Sequence, residues 1–253
     1  MGKTFAIATV SALALVGCSS SKHAATASTS GTVVVFAAAS LKNTFTTLAT
    51  SFEKAHPRVT IVPSFGGSDT LAAQIVAGSP VDVFAAASTA TMATVSNAHD
   101  AKSTPTVFAK NSLEIAVAPS NPLQVASLAD LTKNSVKVAI CAPTVPCGAA
   151  AAKAFASVNL KPNAVTQEQD VTSVLTKVEL GEVDAGVVYQ TDVKSAGAKV
   201  LGVNFPEAVN AINSYPIAVV TTGKNPKAAQ AFVDYVRSAD GMTVLQAAGF
   251  QQP

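Results

Sequence analysis

Short apolar runs alternate with amphipathic stretches along most of the chain. Runs with the make-up of strands fall at residues 32–37, 60–63, 81–85, 113–118, 136–140, 185–188 and 217–220. Between them, stretches such as 41–55, 70–77, 149–157 and 171–180 repeat their apolar positions at the spacing of one helix face. Pro57, Gly78, Pro143 and Gly181 punctuate the two kinds of segment. Strands alternating with helices predict an α/β fold of mixed, mainly parallel sheets flanked by helices.

An internal echo predicts two lobes. Ile75-Val76-Ala77-Gly78-Ser79-Pro80-Val81-Asp82 resembles Lys177-Val178-Glu179-Leu180-Gly181-Glu182-Val183-Asp184, each reading as a helix end, a glycine stop and a strand. Two further matching segments, 113–119 and 214–220, stand where a chain would leave one lobe and return to it. The expected division is therefore 32–115 with 217–253 as lobe one and 116–216 as lobe two. A ligand of such a fold is expected at the carboxyl ends of the strands, in the crevice between the lobes.

The amino terminus changes the picture. Lys3 precedes an uncharged apolar run over 5–16, too short for the roughly 20 residues of a membrane span, and Leu15-Val16-Gly17-Cys18 follows. Residues 1–17 read as a signal peptide, and the cysteine motif resembles a bacterial lipoprotein box. That resemblance implies a lipidated Cys18 holding an exported chain at the outer face of the cell membrane. An ordinary secretory signal is the alternative, and it leaves Cys18 without a role. Residues 18–31, rich in Ser, Ala and Thr, read as a flexible tether, which leaves about 220 residues for the two lobes.

Composition narrows the chemistry. A net charge of +2, 13% charged residues and no cationic cluster argue against nucleic-acid binding. With no Trp, three Tyr and only Arg58 and Arg237 as arginines, the chain lacks the stacking platforms and guanidinium forks that organic solutes require. Hydrolase elbows, zinc-binding His pairs and phosphate loops are also missing from the sequence, and His23, His56 and His99 are scattered, which disfavours an exported enzyme. Iron would want grouped tyrosines, histidines or carboxylates, and Tyr189, Tyr215 and Tyr235 are dispersed.

Four segments can instead aim free amides at one point: Ala37-Ala38-Ala39-Ser40-Leu41, Phe65-Gly66-Gly67-Ser68-Asp69, Val145-Pro146-Cys147-Gly148 and Gln169-Asp170-Val171. The first amides of a helix have no internal partner and carry the positive end of its dipole, so an anion placed there gains hydrogen bonds without a cation. Taken singly, each turn reads more readily as an ordinary cap or turn, and it is their joint occurrence that points to a ligand.

Val35-Phe36-Ala37-Ala38-Ala39-Ser40-Leu41, Ser64-Phe65 through Thr70-Leu71 with Gln74-Ile75 and Ala77-Gly78, Val187-Val188-Tyr189 and Tyr215-Pro216-Ile217-Ala218-Val219, in that order, resemble the periplasmic molybdate-binding protein family across nearly the whole mature chain. The resemblance implies a two-lobed binding protein of an ABC importer, serving a permease and its ATPase and taking molybdate or tungstate, with no cofactor. It places the oxyanion donors at the hydroxyls and amides of Ser40 and Ser68, the amides of Cys147 and Val171, and the Tyr189 phenol. Molybdenum is then met only as the oxyanion, with no protein ligand to the metal, and the protein is expected to be a monomer. A donor-only site suits a fully ionised dianion and disfavours phosphate, whose remaining proton wants an acceptor; sulfate, of the same charge and shape, must be separated by size.

Two positions depart from the family pattern. Asp69 follows a proposed donor and either faces outward at the first helical turn or repels a dianion and accepts the proton of phosphate. Cys147 needs to supply only its amide, and Cys141 lies six positions earlier. In an oxidising compartment the two are expected to pair and stiffen the loop; two free buried thiols are the alternative.

Overall fold

The computed structural model of the chain describes residues 1–2 and 29–253. Residues 3–17 of the expected signal peptide, Cys18 and most of the expected tether lie outside the described residues. Among the described residues, no helix is long and apolar enough to cross a membrane.

The elements of the first lobe are β1 (Gly31–Ala38), α1 (Lys42–Ala55), β2 (Val59–Gly66), α2 (Ser68–Val76), β3 (Val83–Ala85), α3 (Thr89–Asn97) and β4 (Thr106–Asn111). The second lobe holds β5 (Leu113–Val117), β6 (Val138–Cys141), α4 (Pro146–Ser157), β7 (Ala164–Glu168), α5 (Val171–Glu179), β8 (Ala185–Tyr189), α6 (Gln190–Ala196) and β9 (Leu201–Val203). The chain then returns to the first lobe for β10 (Asn213–Val219), α7 (Pro226–Val236) and α8 (Ala239–Ala248).

The two five-stranded sheets repeat one plan. The first runs β2-β1-β3-β10-β4 and the second β7-β6-β8-β5-β9. In each, the first three strands are parallel and the last two join antiparallel. The aspartates of the sequence echo occupy equivalent places. Asp82 donates its N–H to the Val34 carbonyl at 2.9 Å while its carboxylate accepts the Val34 N–H at 2.8 Å, and Asp184 does the same with Lys137 at 2.9 and 2.8 Å. Gly78 and Gly181 end the preceding helices at φ of 90° and 70°, a left-handed turn that glycine makes without strain.

The crossings between lobes differ from the expected 115/116 and 216/217. All of β5 pairs in the second sheet and all of β10 in the first, so the chain crosses at Ser112 and returns just before Asn213. The two segments look alike because each is the first strand after a crossing and fills the same position in its own sheet. Their likeness is positional, and it does not put both in lobe one.

The inner strands of both sheets are covered on both faces and read as near-continuous apolar runs, whereas the edge strands β2 and β7 keep exposed positions on one face. On one face of the first sheet, Val33, Val35 and Ala37 of β1 pack with Phe45, Leu48 and Phe52 of α1, Phe232 of α7 and Leu245 of α8; Leu71, Ile75, Met92 and Val95 cover the other. Phe52 and Phe232 meet edge to face at 5.3 Å, and burying each ring contributes about 2–3 kcal/mol. Rigid lobes of this kind hold the turns at their facing edges in fixed positions.

Candidate functional site

Five strand ends turn into helices at the edges where the lobes meet. β1 passes through a 3-10 turn, Ala39–Leu41, into α1; β2 passes through Gly67 into α2; the β6 loop enters α4 at Pro146; β7 enters α5 through Asp170; β8 runs directly into α6. The sequence favours these starts. Proline at the first position of α4 wastes no amide, and the Asp170 carboxylate caps α5 by accepting the Ser173 N–H at 2.9 Å.

Ser40, Ser68, Cys147, Val171 and Tyr189 all line one small cavity between the lobes. Its volume is about 10 Å³, against the roughly 300–1,000 Å³ of pockets for drug-sized molecules. That is room for about one water, so the lobes must part slightly for even a compact ion to enter. Around it, first-turn amides of α2, α4 and α5 have no partner within their helices and present the positive ends of three dipoles. Among the described residues, no lysine or arginine lines it.

The side chains are set up as donors. Ser68 Oγ accepts the Ala87 N–H at 3.0 Å, which leaves its hydrogen free to donate. Ser40 Oγ lies 3.0 Å from Tyr215 Oη, and Asn111 Nδ2 reaches the same phenol at 3.5 Å. Tyr189 is 1% exposed, and its hydroxyl is buried with no hydrogen-bond partner. Burial, chiefly, raises its pKa well above the usual tyrosine range, with the nearby Tyr215 and Asp192 adding to this, so the phenol keeps its proton at neutral pH.

The carboxylates near the cavity are occupied or turned aside. Asp170 lines it, yet its two oxygens accept the N–H and hydroxyl of Ser173 at 2.9 and 3.1 Å. Asp69, in the first turn of α2, is not among the cavity's lining residues; one of its oxygens is buried without a partner. Behind Tyr189, buried Asp192 accepts the Tyr189 N–H at 2.9 Å. Burial pushes its carboxyl up to about 7 despite that bond, and the charge of Asp170 acts in the same direction.

Cys141 and Cys147 form a disulfide with their Cα atoms 5.7 Å apart. The bond ties the end of β6 to the first turn of α4, and Gly148 allows the tight return, since any Cβ there would meet the Ala142 carbonyl. The cleft mouth beside the cavity is lined by Lys42, Lys177, Glu168 and Glu182, of which Lys177 pairs with Glu182 at 2.9 Å. His56 packs against Phe52 and His99 sits in a turn at φ of 63°, both away from the cavity.

Two residues at the site escaped sequence reasoning: Ala87, which lines the cavity, and Asn213, whose amide donates to the Ala87 carbonyl at 2.7 Å. Ala87 did leave a signal. Val83-Phe84-Ala85-Ala86-Ala87-Ser88 repeats Val35-Phe36-Ala37-Ala38-Ala39-Ser40, and the two run side by side with Val35, Phe36 and Ala37 paired to Val83, Phe84 and Ala85. Asn213 carries no such mark.

Known proteins give the same architecture. The chain is 42% identical over 221 residues to the molybdate-binding protein ModA of Mycobacterium tuberculosis H37Rv, covering 87% of this chain and 85% of that protein. It is 36% identical over 234 residues to ModA of Escherichia coli K12, covering 87% and 89%. The solved periplasmic molybdate-binding protein of Azotobacter vinelandii shares its fold with a TM-score of 0.77 at 21% identity, over 87% of this chain and 99% of that one. Residues 33–251 match the family described as bacterial extracellular solute-binding protein, and on that match, with the two lobes and their shared cavity, the chain belongs to this family of binding proteins rather than to the enzymes.

Proposed function

We propose that the protein captures molybdate, and tungstate in the same way, outside the cell membrane and passes it to an ABC permease driven by its ATPase. The observation that carries this reading is the ring of neutral donors, Ser40, Ser68, Cys147, Val171 and Tyr189, around one small cavity without a cation. Each hydrogen bond to a charged guest contributes roughly 1.5–3 kcal/mol, and a handful reach the roughly 8 kcal/mol of micromolar affinity. Two relatives more than a third identical carry the name molybdate-binding protein, which supports the choice of guest.

The donor set also supports a fully ionised tetrahedral dianion over phosphate. Asp170, the one carboxylate among the cavity's described lining residues, has both oxygens engaged by Ser173, and Asp69 does not line the cavity, so the wall offers a guest chiefly donors. Molybdenum is met only through its oxygens. Cys18 is assigned as the lipidated first residue of a mature monomer, tethered through residues 18–31 to the membrane that holds the permease.

Thermal unfolding of the mature chain with molybdate, tungstate, sulfate and phosphate in turn tests the reading. A ligand at a thousand times its dissociation constant stabilises the folded state by about 4 kcal/mol, roughly 8–16 °C for a protein of this size. Large shifts are expected with molybdate and tungstate alone. A shift with sulfate or phosphate and none with molybdate would replace this guest with another.

A further inference from the structure

The geometry points to Asn213 as the positioning residue that fixes one oxyanion donor from each lobe in a common frame when the cleft is closed. It rests on the molybdate reading only for the identity of the guest. Asn213 opens β10, immediately after the chain returns from the second lobe, and pairs in register with Asn111, the last residue before the crossing. It is buried at the point where both connections pass.

Its side-chain amide reaches into both lobes. Nδ2 donates to the Ala87 carbonyl of lobe one at 2.7 Å and, at the longer distance of 3.5 Å, to the Pro146 carbonyl of lobe two. Each carbonyl belongs to the support of a donor. The N–H of Ala87 is the group that engages Ser68 Oγ at 3.0 Å, and so fixing Ala87 fixes the direction in which the Ser68 hydrogen points. The Pro146 carbonyl shares its peptide unit with the Cys147 N–H. In a trans peptide the two point in opposite directions, and a carbonyl held by Asn213 on one side aims the Cys147 amide to the other.

One planar amide with two hydrogens can hold both carbonyls at once. A hydroxyl or a methyl at this position cannot, so the residue type suits the task. Asn111 makes different links, from its amide to Thr191 at 2.7 Å and to the Tyr215 phenol beside Ser40 at 3.5 Å, and its side chain bonds neither the Ala87 nor the Pro146 carbonyl. It provides the control.

The test compares wild type with N213A, N213S and N111A in two measurements: the rate of molybdate dissociation by stopped flow, and hydrogen exchange at the Ala87 amide in the unliganded protein. N213A is expected to release molybdate at least tenfold faster and to lose protection at Ala87. N213S, which retains one donor, should fall between it and wild type and serves if N213A does not fold. N111A should leave Ala87 protection unchanged. Unchanged dissociation in N213A, or in N213S if only that variant folds, would overturn the proposal. If the wild type binds neither molybdate nor tungstate, the functional reading fails on its own. The positioning role is then decided by exchange alone: lost protection at Ala87 in N213A upholds it, and full protection overturns it.

Discussion

Gly67 on lobe one approaches the Gln169 carbonyl on lobe two so closely that a Cβ at position 67 would overlap it. The backbone there, at φ −59° and ψ 129°, is open to any residue. The glycine is thus required by the meeting of the lobes and not by its own conformation. G67A should fold with a stability within about 1 kcal/mol of wild type. Its affinity for molybdate by calorimetry should fall at least tenfold, because the methyl group props the cleft open. Unaltered affinity would mean that the lobes grip the ion without this contact.

Removing the Tyr189 hydroxyl should move stability and affinity in opposite directions. In the unliganded protein that hydroxyl is buried without a partner, a state that costs roughly 1–3 kcal/mol, so Y189F should unfold at the same or a higher temperature. It also deletes one donor to the anion, worth roughly 1.5–3 kcal/mol, or about a ten- to hundredfold loss of affinity. Paired thermal unfolding and calorimetry check both signs. A variant that lost stability and kept its affinity would place the phenol in the fold and not in the site.

How far the sequence foretold this arrangement depends on what each residue does. Strands buried on both faces announce themselves, as at residues 83–85 and 185–188, because every side chain must be apolar. The edge strand β7 does not: Ala164, Thr166 and Glu168 are only half-buried and alternate with exposed Val165 and Gln167, a pattern shared with loops. The site turns were legible as small residues before helices, and five candidates drawn from separate stretches line one cavity. Their convergence comes from two sheets of the same strand order facing each other. No local pattern encodes Asn213, which acts through carbonyls 67 and 126 residues away in the chain.

The Cys141–Cys147 disulfide should matter more for the site than its short loop suggests. Closing a loop of this length in the unfolded chain stabilises the folded one by roughly 2–3 kcal/mol, so the double variant C141S/C147S should unfold at lower temperature. The same bond holds the Cys147 amide at the cavity wall. Calorimetry well below the unfolding midpoint should therefore show weaker molybdate binding in the double variant and in reduced wild type alike. Equal affinity in oxidised and reduced protein would confine the disulfide to stability.

Asp192 should make the unliganded protein less stable as pH rises. Its carboxyl titrates near 3.8 when exposed and is pushed up to about 7 in the fold, mainly by burial. Between these values the folded state retains a proton that the unfolded state has released. Stability then falls with increasing pH by at most about 1.4 kcal/mol per unit and levels off above about pH 7. The cost at neutral pH is that of a charge held behind Tyr189, where the Tyr189 N–H at 2.9 Å only partly compensates it. D192N keeps an oxygen able to accept that N–H and carries no charge. It should show a flatter profile between pH 5 and 7.5 and unfold at a higher temperature than wild type at pH 8. If wild type and D192N gave parallel profiles, the carboxylate would be solvated well enough in the fold to titrate near its ordinary value, and the pH dependence would have to come from other groups.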